Sequence, residues 1–130
     1  MSETFASVPF NQALAFELVS ASGGSAEVRL PLQPWFEQEV SVVHGGIIAS
    51  LADTTAVYAV MPQLGQNRTM TGVEFKMNFI RAATMSGGPL IAKSRTVRLG
   101  NTIAVCAVDV SQRDRLVATG IFTFLVRSSR

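Results

Sequence analysis

The chain has 130 residues, of which 48% are hydrophobic and 15% charged, so it is long enough for one domain with a core and too apolar to be disordered as a whole. Its formal net charge is +2, and its scattered cations lack the dense basic run with interleaved aromatic residues that nucleic-acid binding needs. The longest apolar stretch, residues 47–61, contains polar side chains and is shorter than the ~20 residues that span a membrane.

The opening segment and the cysteine content bear on the compartment. Residues 1–10 lack a basic stretch followed by an apolar one, so we expect no signal peptide. The single cysteine, Cys106, has no second cysteine with which to form a disulfide or a cysteine-rich metal site. We therefore expect a reducing cytoplasm, no bound metal, and Cys106 as a small buried residue of a strand.

The first part of the chain predicts a short helix and then a pair of strands. The helix is expected over residues 8–15, where a proline stands near its start. Strands are expected over 16–22 and 25–32, with a turn at Gly23-Gly24 between them. The second strand alternates apolar and polar side chains, which is typical of a strand with one buried face. Residues 33–43 are expected to form an irregular loop.

The segment from Gly45 to Met61 predicts the one long helix. Apolar residues surround its circumference, and a helix of this kind is buried rather than laid on a surface. Pro62 and Gly65 are expected to end it. The remaining elements should therefore wrap around this helix.

The rest of the chain predicts four consecutive strands that form an antiparallel meander with short turns. In chain order they cover residues 73–79, 90–99, 102–111 and 115–126. With the first pair they make an antiparallel sheet of five to six strands around one central helix, an α+β architecture in a single domain over residues 1–130. The low charge and the free sheet edges favour association of copies, a homodimer at minimum.

One segment, residues 41–53, combines residue types that can do chemistry. It contains the only histidine, His44, then Gly45 and Gly46, and then Asp53 inside the apolar helix. Taken singly, these residues are also compatible with a structural histidine, a turn and a hydrogen-bonded core carboxyl. Together they favour catalysis, because glycines at a helix start leave backbone N–H groups unpaired and let a substrate approach closely. The partial positive charge of that end suits a carbonyl oxygen that becomes negative in a tetrahedral intermediate.

The spacing of these residues constrains the site. Asp53 follows Gly45 by eight residues, which is about 12 Å along a helix axis at ~1.5 Å per residue. That is too far for both to touch one reacting carbonyl, where contacts of about 3 Å are needed. A two-fold dimer with antiparallel central helices can bring Asp53 of one subunit to Gly45 of the other. The spacing therefore predicts a site shared between two copies.

The segment HGGIIASLADTTAVYA resembles the helix motif of hotdog-fold acyl-CoA thioesterases, particularly the phenylacetate-pathway (PaaI-type) group of the 4-hydroxybenzoyl-CoA thioesterase superfamily. TGVEFKMNFIRAA resembles the family's first strand after the helix, and GGPLIAKSRTVRLGNTIAVCAVDVSQRDRLVATGIFTFLV resembles its remaining three strands. The resemblance implies a hotdog fold and hydrolysis of an acyl-CoA thioester to free acid and coenzyme A. It implies no separate cofactor, since coenzyme A is part of the substrate, and a homotetramer.

The resemblance also implies roles at matching positions. Asp53 matches the catalytic carboxylate, as nucleophile or as general base for water. Gly45 matches the residue whose N–H polarises the carbonyl, with His44 beside it as a supporting polar group. Gln38 matches a position near the thioester and Thr71 a hydroxyl that orients water. For Gln38 and Thr71, loop solvation and a strand-start hydroxyl remain open as alternatives.

Further residues are candidates for substrate binding. Gly46 is expected beside the thioester because it lacks a side chain. The acyl group is expected to contact apolar and aromatic residues near the central helix: Trp35, Phe36, Tyr58 and Met61. Residues 66–130 carry ten Lys or Arg against three acidic residues. Some of these cations are candidates for the phosphates of coenzyme A, or alternatively solvated charges of the outer sheet face: Arg81, Lys93, Arg95, Arg98 and Arg127.

Two other functions stay open at this point. A hotdog acyl-CoA dehydratase or hydratase also pairs a histidine with a carboxylate, but its motif places the acid farther from the histidine, among prolines that are absent here. A non-catalytic acyl-CoA-binding module would keep the fold alone. A binding module retains acyl-CoA unchanged, whereas a thioesterase releases free thiol, so one assay separates the classes.

Overall fold

The structure, a computed structural model, describes residues 2–128, with side chains from Thr4 onward. Two short helices open it, α1 (Ser2–Ser7) and α2 (Pro9–Leu14), where the sequence predicted one helix over 8–15. Ala15 ends α2 in the left-handed conformation at φ 58°. The strands β1 (Glu17–Ser22) and β2 (Ser25–Leu30) then form the predicted hairpin.

Short ordered elements replace most of the loop predicted over 33–43. A 3₁₀ turn at Pro34–Phe36 leads into two strands that pair with each other, β3 (Glu37–Glu39) and β4 (Val42–Val43). The Phe36 side chain is fully buried, and the Phe36 carbonyl accepts the His44 N–H at 2.8 Å. This hairpin therefore fixes where the next helix begins.

The long helix α3 (Gly45–Val60) confirms the prediction, and a 3₁₀ turn at Met61–Gln63 ends it. Its sheet-facing residues, such as Leu51 and Ala56, are fully buried. Complete enclosure of the helix, however, is wrong for the single chain, because Gly46 and Asp53 are exposed. They stand seven residues apart and thus on one face of the helix. No helix within residues 2–128 is both long and apolar enough to cross a membrane.

Four long strands complete the fold: β5 (Arg68–Phe79), β6 (Leu90–Leu99), β7 (Ile103–Gln112) and β8 (Arg115–Ser128). They join the first hairpin in one antiparallel sheet with the order β1-β2-β6-β7-β8-β5. Only β6, β7 and β8 follow one another as a meander. The predicted four-strand meander is wrong at its first member, since β5 pairs with β8 at the sheet edge.

The helix covers this sheet unevenly. It packs mainly against β2, β6 and β7, and only slightly against β8. On β7 the side chains that face it are buried, Cys106 included, and burial raises the pKa of the Cys106 thiol to about 11. Cys106 is therefore the structural strand residue that the sequence predicted. By contrast, the 12-residue edge strand β5 has exposed apolar side chains, Val73, Phe75 and Phe79 among them.

Candidate active site

His44 caps the start of α3 and determines which backbone amides are paired there. Its Nδ1 accepts the Gly46 N–H at 2.8 Å, and its carbonyl accepts the Ile47 N–H at 3.0 Å. Its own N–H donates to Phe36, as described above. The first four amides of a helix have no carbonyl four residues earlier in the helix to which they can donate. At the start of α3, the amides of His44, Gly46 and Ile47 have found other acceptors. Within residues 2–128, the Gly45 N–H is the one that has no acceptor.

This arrangement corrects the expectation that both glycine amides are unpaired. The Gly46 N–H donates to the capping side chain of His44, and this hydrogen bond is the contribution of His44 to the site. Because Nδ1 accepts, a neutral imidazole carries its proton on Nε2. Gly46 must nevertheless lack a side chain, since a Cβ there would lie 2.9 Å from His44 Nδ1.

Phe79, at the end of β5, lies against Gly45. A Cβ on Gly45 would be 3.5 Å from the Cε1 and Cζ atoms of the ring. Phe79 was not predicted as a site residue from the sequence, although it ends the first strand of the family-like segment. An apolar ring beside an unpaired amide lowers the local dielectric and strengthens any hydrogen bond the amide donates. We call Gly45, its cap His44 and Phe79 the amide half-site.

Asp53 lies farther along the same face of α3, beside β5 and β8. The carboxylate has no hydrogen bond or ion pair within the described residues, and desolvation by its surroundings raises the pKa of Asp53 above the ordinary 3.8. It lines a cavity of about 430 Å³ together with Gly72, Val73, Glu74, Phe75, Phe122, Thr123 and Phe124. We call Asp53 and this lining the carboxylate half-site.

The two half-sites lie at two points where β5 approaches α3. Phe79 marks the first and Phe75 the second, and four strand residues span about 13 Å at ~3.3 Å each. This agrees with the ~12 Å of helix between Gly45 and Asp53. One chain therefore presents both chemical groups but does not bring them together.

Gln38 lies in the hairpin that precedes the amide half-site. It is an exposed residue of β3, in the hairpin that leads directly into His44. Its backbone is therefore placed by the same β3–β4 pairing that sets the start of α3. The structure shows no contact between Gln38 and Asp53.

Thr71 is not brought to Asp53 either. It pairs with Leu125 of β8, and residues directly opposite in a sheet share a face. Leu125 stands between the buried residues Phe124 and Val126, so its side chain and that of Thr71 lie on the face turned away from α3. The next residue along β5, Gly72, lines the carboxylate half-site instead.

The aromatic candidates for acyl contact are distributed differently from expectation. Phe36 is fully buried, and Tyr58 is 4% exposed with its ring 4.9 Å from that of Phe5. Trp35 is exposed and packs edge-on against Phe36 at 4.7 Å. Phe36 and Tyr58 are core residues, and none of the three lines the cavity beside Asp53.

Met61, the fourth candidate, does lie near the carboxylate half-site. It lines a second cavity, of about 280 Å³, between the end of α3 and β5. The other lining residues are Val57, Leu64, Gly65, Arg68, Thr69, Met70, Gly72 and Phe124. Gly72 and Phe124 belong to both cavities. An apolar groove therefore continues from Asp53 past Met61.

The candidate cations are dispersed. Arg95 and Lys93 lie on the outer sheet face around a groove of about 390 Å³, and Arg98 lies beside the turn at Gly100. Arg127 stands opposite Thr69 near the end of β8. Arg81 stands two residues after Phe79, so it is the candidate cation nearest in sequence to the amide half-site. Its side chain donates to the Leu116 carbonyl at 2.6 Å. Within the described residues, no three His, Cys, Asp or Glu side chains form a group that could hold a metal ion.

Known proteins resemble this chain in sequence and in fold. The thioesterase superfamily model matches residues 41–119, which contain the amide half-site and Asp53. The chain is 29% identical to the medium/long-chain acyl-CoA thioesterase YigI of Salmonella typhimurium, over 92% of this chain and 86% of that one. The conserved protein PA5202 of Pseudomonas aeruginosa has a TM-score of 0.89 at 31% identity, over 98% of this chain and 100% of that chain.

A further solved structure shares the fold. The phenylacetic acid degradation-related protein of Ralstonia eutropha has a TM-score of 0.85 at 23% identity, over 95% of this chain and 97% of that one. With a six-stranded antiparallel sheet packed on one long helix, these matches show that the chain belongs to the thioesterase superfamily and is a thioester hydrolase of the hotdog fold.

Proposed function

We propose that the chain hydrolyses acyl-CoA thioesters, with Asp53 as the acting carboxylate and the Gly45 N–H as the donor to the thioester carbonyl. The observation that carries this proposal is the hydrogen bonding at the start of α3. Of the first four amides of this helix, only that of Gly45 has no acceptor within residues 2–128. The name of the relative YigI supports acyl-CoA as the substrate class.

The reaction follows from the two groups. The carbonyl oxygen accepts from the Gly45 N–H, where the helix dipole favours the negative charge that develops on it. The Asp53 carboxylate either attacks the carbonyl carbon, giving a mixed anhydride that water then hydrolyses, or removes a proton from an attacking water. The C–S bond breaks as the tetrahedral intermediate collapses, which on the first route is the step that forms the mixed anhydride. The thiolate leaves without strong acid assistance, because the pKa of its thiol is only about 8.5. Either route yields the free acid and coenzyme A.

Two copies of the chain are proposed to complete each site. A two-fold axis midway between the half-sites passes near Ala49 on α3 and Met77 on β5, and it places Gly45 of one copy against Asp53 of the other. The unpaired edge of β5 and its exposed apolar side chains support such an interface. Association of two such dimers into a tetramer stays a prediction.

The acyl chain is proposed to occupy the apolar groove that continues from Asp53 past Met61. Most of the side chains in its lining are apolar, Val57 and Met70 among them, and Arg68 and Thr69 add polar groups. Replacing Met61→Trp should fill the groove and lower kcat/KM for medium and long acyl chains more than for short ones. The matched control is Val19→Trp, at an exposed position of β1, which should leave the chain-length preference unchanged.

The proposed function is tested by free-thiol release from phenylacetyl, hydroxybenzoyl, short-chain, medium-chain and long-chain acyl-CoA. We expect release from at least one of them, and a 10²- to 10⁴-fold fall in kcat, roughly the contribution of a general base, in folded Asp53→Asn protein. The control Asp114→Asn changes an exposed carboxylate in the turn before β8 and should retain full activity. Tight acyl-CoA binding without release from any substrate would instead indicate a binding module.

A further inference from the structure

Gln112, the last residue of β7, is a buried amide whose hydrogen bonds are all directed at one loop. The loop covers residues 80–89, between β5 and β6. Gln112 Oε1 accepts the Thr84 N–H at 3.0 Å, and Nε2 donates to the carbonyls of Thr84 and Gly88, both at 2.9 Å. The oxygen therefore faces a donor and the nitrogen faces two acceptors, so both amide protons and one of the two lone pairs of the oxygen are paired. Gln112 is only 8% exposed, so water is a poor substitute for these bonds.

The other side of the same loop is bonded to the segment that precedes α3. The Val43 N–H donates to the Ala83 carbonyl at 2.9 Å, and the Met85 N–H donates to the Ser41 carbonyl at 2.8 Å. Thr84 itself forms an antiparallel bridge with Val42. The loop thus lies between Gln112 on one side and β4 on the other.

The amide half-site begins immediately after β4. His44 and Gly45 follow Val43 in the chain, so the position of the Gly45 N–H is set by the backbone that Ala83 and Thr84 hold. An oxyanion donor must lie within ~2.7–3.1 Å of the developing charge. A displacement of ~1 Å far from the chemistry can reduce the rate about 10²-fold. Gln112 is therefore connected to Gly45 through one layer of backbone hydrogen bonds.

Gly87 provides a second, independent observation. A Cβ at this buried position would lie 2.5 to 2.7 Å from the amide atoms of Gln112. The glycine is thus needed for the Gln112 side chain to occupy its place, and a side chain at residue 87 would displace the Gln112 amide without changing it chemically.

The geometry points to Gln112 as a positioning residue for the thioester carbonyl: it holds Thr84, Thr84 and Ala83 hold β4, and β4 places the Gly45 N–H. This rests on the proposed function, because it assumes that Gly45 donates to the substrate. It adds a residue that touches neither substrate nor reacting atoms.

The first test replaces the amide with an apolar side chain of similar length, Gln112→Met. We expect kcat to fall about 10- to 100-fold while KM for the acyl-CoA changes little, since the acyl groove is not affected. The matched control is Arg113→Ala, which removes an exposed side chain that donates to Ser86 of the same loop at 3.4 Å. This control should retain kcat.

The second test does not depend on activity. The backbone ¹H–¹⁵N resonance of Gly45 should shift in Gln112→Met and in Gly87→Ala, and should stay in place in Arg113→Ala. The double variant Gly87→Ala/Gln112→Met should lose no more kcat than either single variant, because both changes remove the same contact. If Gln112→Met does not fold, kcat and the Gly45 resonance are both measured in Gly87→Ala instead.

The outcomes separate this inference from the proposed function. If wild-type protein releases thiol and requires Asp53, but both variants keep kcat and the Gly45 resonance, the positioning role is wrong and the function stands. A moved Gly45 resonance with unchanged kcat equally overturns the role. If wild-type protein releases no thiol, the proposed function fails first.

Discussion

The centre of the sheet and its β5 edge carry similar apolar side chains that serve different functions. On β6 and β7, the inward residues Leu90, Ala92 and Val110 are fully buried against α3. On β5, the apolar residues Val73, Phe75 and Phe79 are 57%, 50% and 54% exposed. Both regions are antiparallel strands of the same sheet. The difference lies in what covers them, because α3 packs over one region and leaves the other open.

This contrast separates stability from function. Each fully buried aliphatic side chain contributes about 1.5–3 kcal/mol of hydrophobic free energy to the folded chain. The apolar surface of β5 contributes little to the single chain, and its free energy is available for association. Both half-sites lie on the open side. We therefore expect substitutions under α3 to lower stability, and substitutions along the open groove to lower association and turnover.

The sharpest expectation concerns sharing of the site. Asp53→Ala chains and Gly45→Pro chains should each be inactive as homodimers, and proline removes the donor amide at a helix position that accepts it. A refolded equimolar mixture should regain about a quarter of wild-type turnover, since half of the dimers are mixed and each has one intact site. Gly45→Ala, which keeps the N–H, is the control and should remain active alone.

If verified mixed dimers recover no activity, the prediction of a site shared between two copies is wrong. The two chains carry different affinity tags, and two successive purifications select dimers that contain both. Lack of activity then cannot result from a failure of the chains to mix.

A substitution on the opposite face of α3 should have the reverse effect. Leu51→Ala removes a fully buried side chain and should lower the free energy of unfolding by about 2–5 kcal/mol through lost burial and a residual cavity. Denaturant titration measures the loss. Well below the unfolding transition, kcat should stay close to wild type, and a large fall in kcat there would contradict the separation of faces.

The edge strand should control association. A charge at an exposed apolar edge position opposes pairing with another chain, so Phe75→Lys should raise the dimer Kd at least ~10-fold, or about 1.4 kcal/mol. Sedimentation velocity measures the Kd, and activity should return as protein concentration rises. Val97→Lys, at an equally exposed position of β6, is the control. Equal dimer affinity in the two variants would place the interface elsewhere.

The smallest expected effect is a pH dependence of stability. Because desolvation raises the pKa of Asp53 above 3.8 in the folded chain, the folded state favours the protonated carboxyl. Its stabilising contribution is fully present below pH 3.8 and is lost as the pH rises through the folded pKa. Asp53→Asn should therefore have a higher Tm than wild type at pH 7, and the difference should shrink below pH ~4. A constant Tm difference across this range would contradict the raised pKa.

Much of the local structure could be predicted from the sequence. The helix α3, the hairpin at Gly23-Gly24 and the alternating strands follow from periodicity and turn residues, which act over a few neighbours along the chain. The spacing of Gly45 and Asp53 also follows from the sequence once α3 is recognised, and it already argues against a site within one chain.

The position of β5 could not be predicted in that way. It follows α3 in the chain but pairs with β8 across the sheet, and strand order depends on long-range pairing that local pattern does not encode. That placement decided which residues stay exposed, which face Thr71 takes, and that Asp53 lies in an open groove rather than within the core.

The sequence by itself therefore determined the elements, the family resemblance and the chemical groups available. Only the tertiary structure decided that His44 accepts the Gly46 N–H while the Gly45 N–H stays unpaired. It also decided that Phe36 and Tyr58 belong to the core, and that Gln112 holds the loop beside β4. The reason is physical: these outcomes depend on which hydrogen-bond partners and which apolar surfaces meet in space, and residues far apart in the chain supply them.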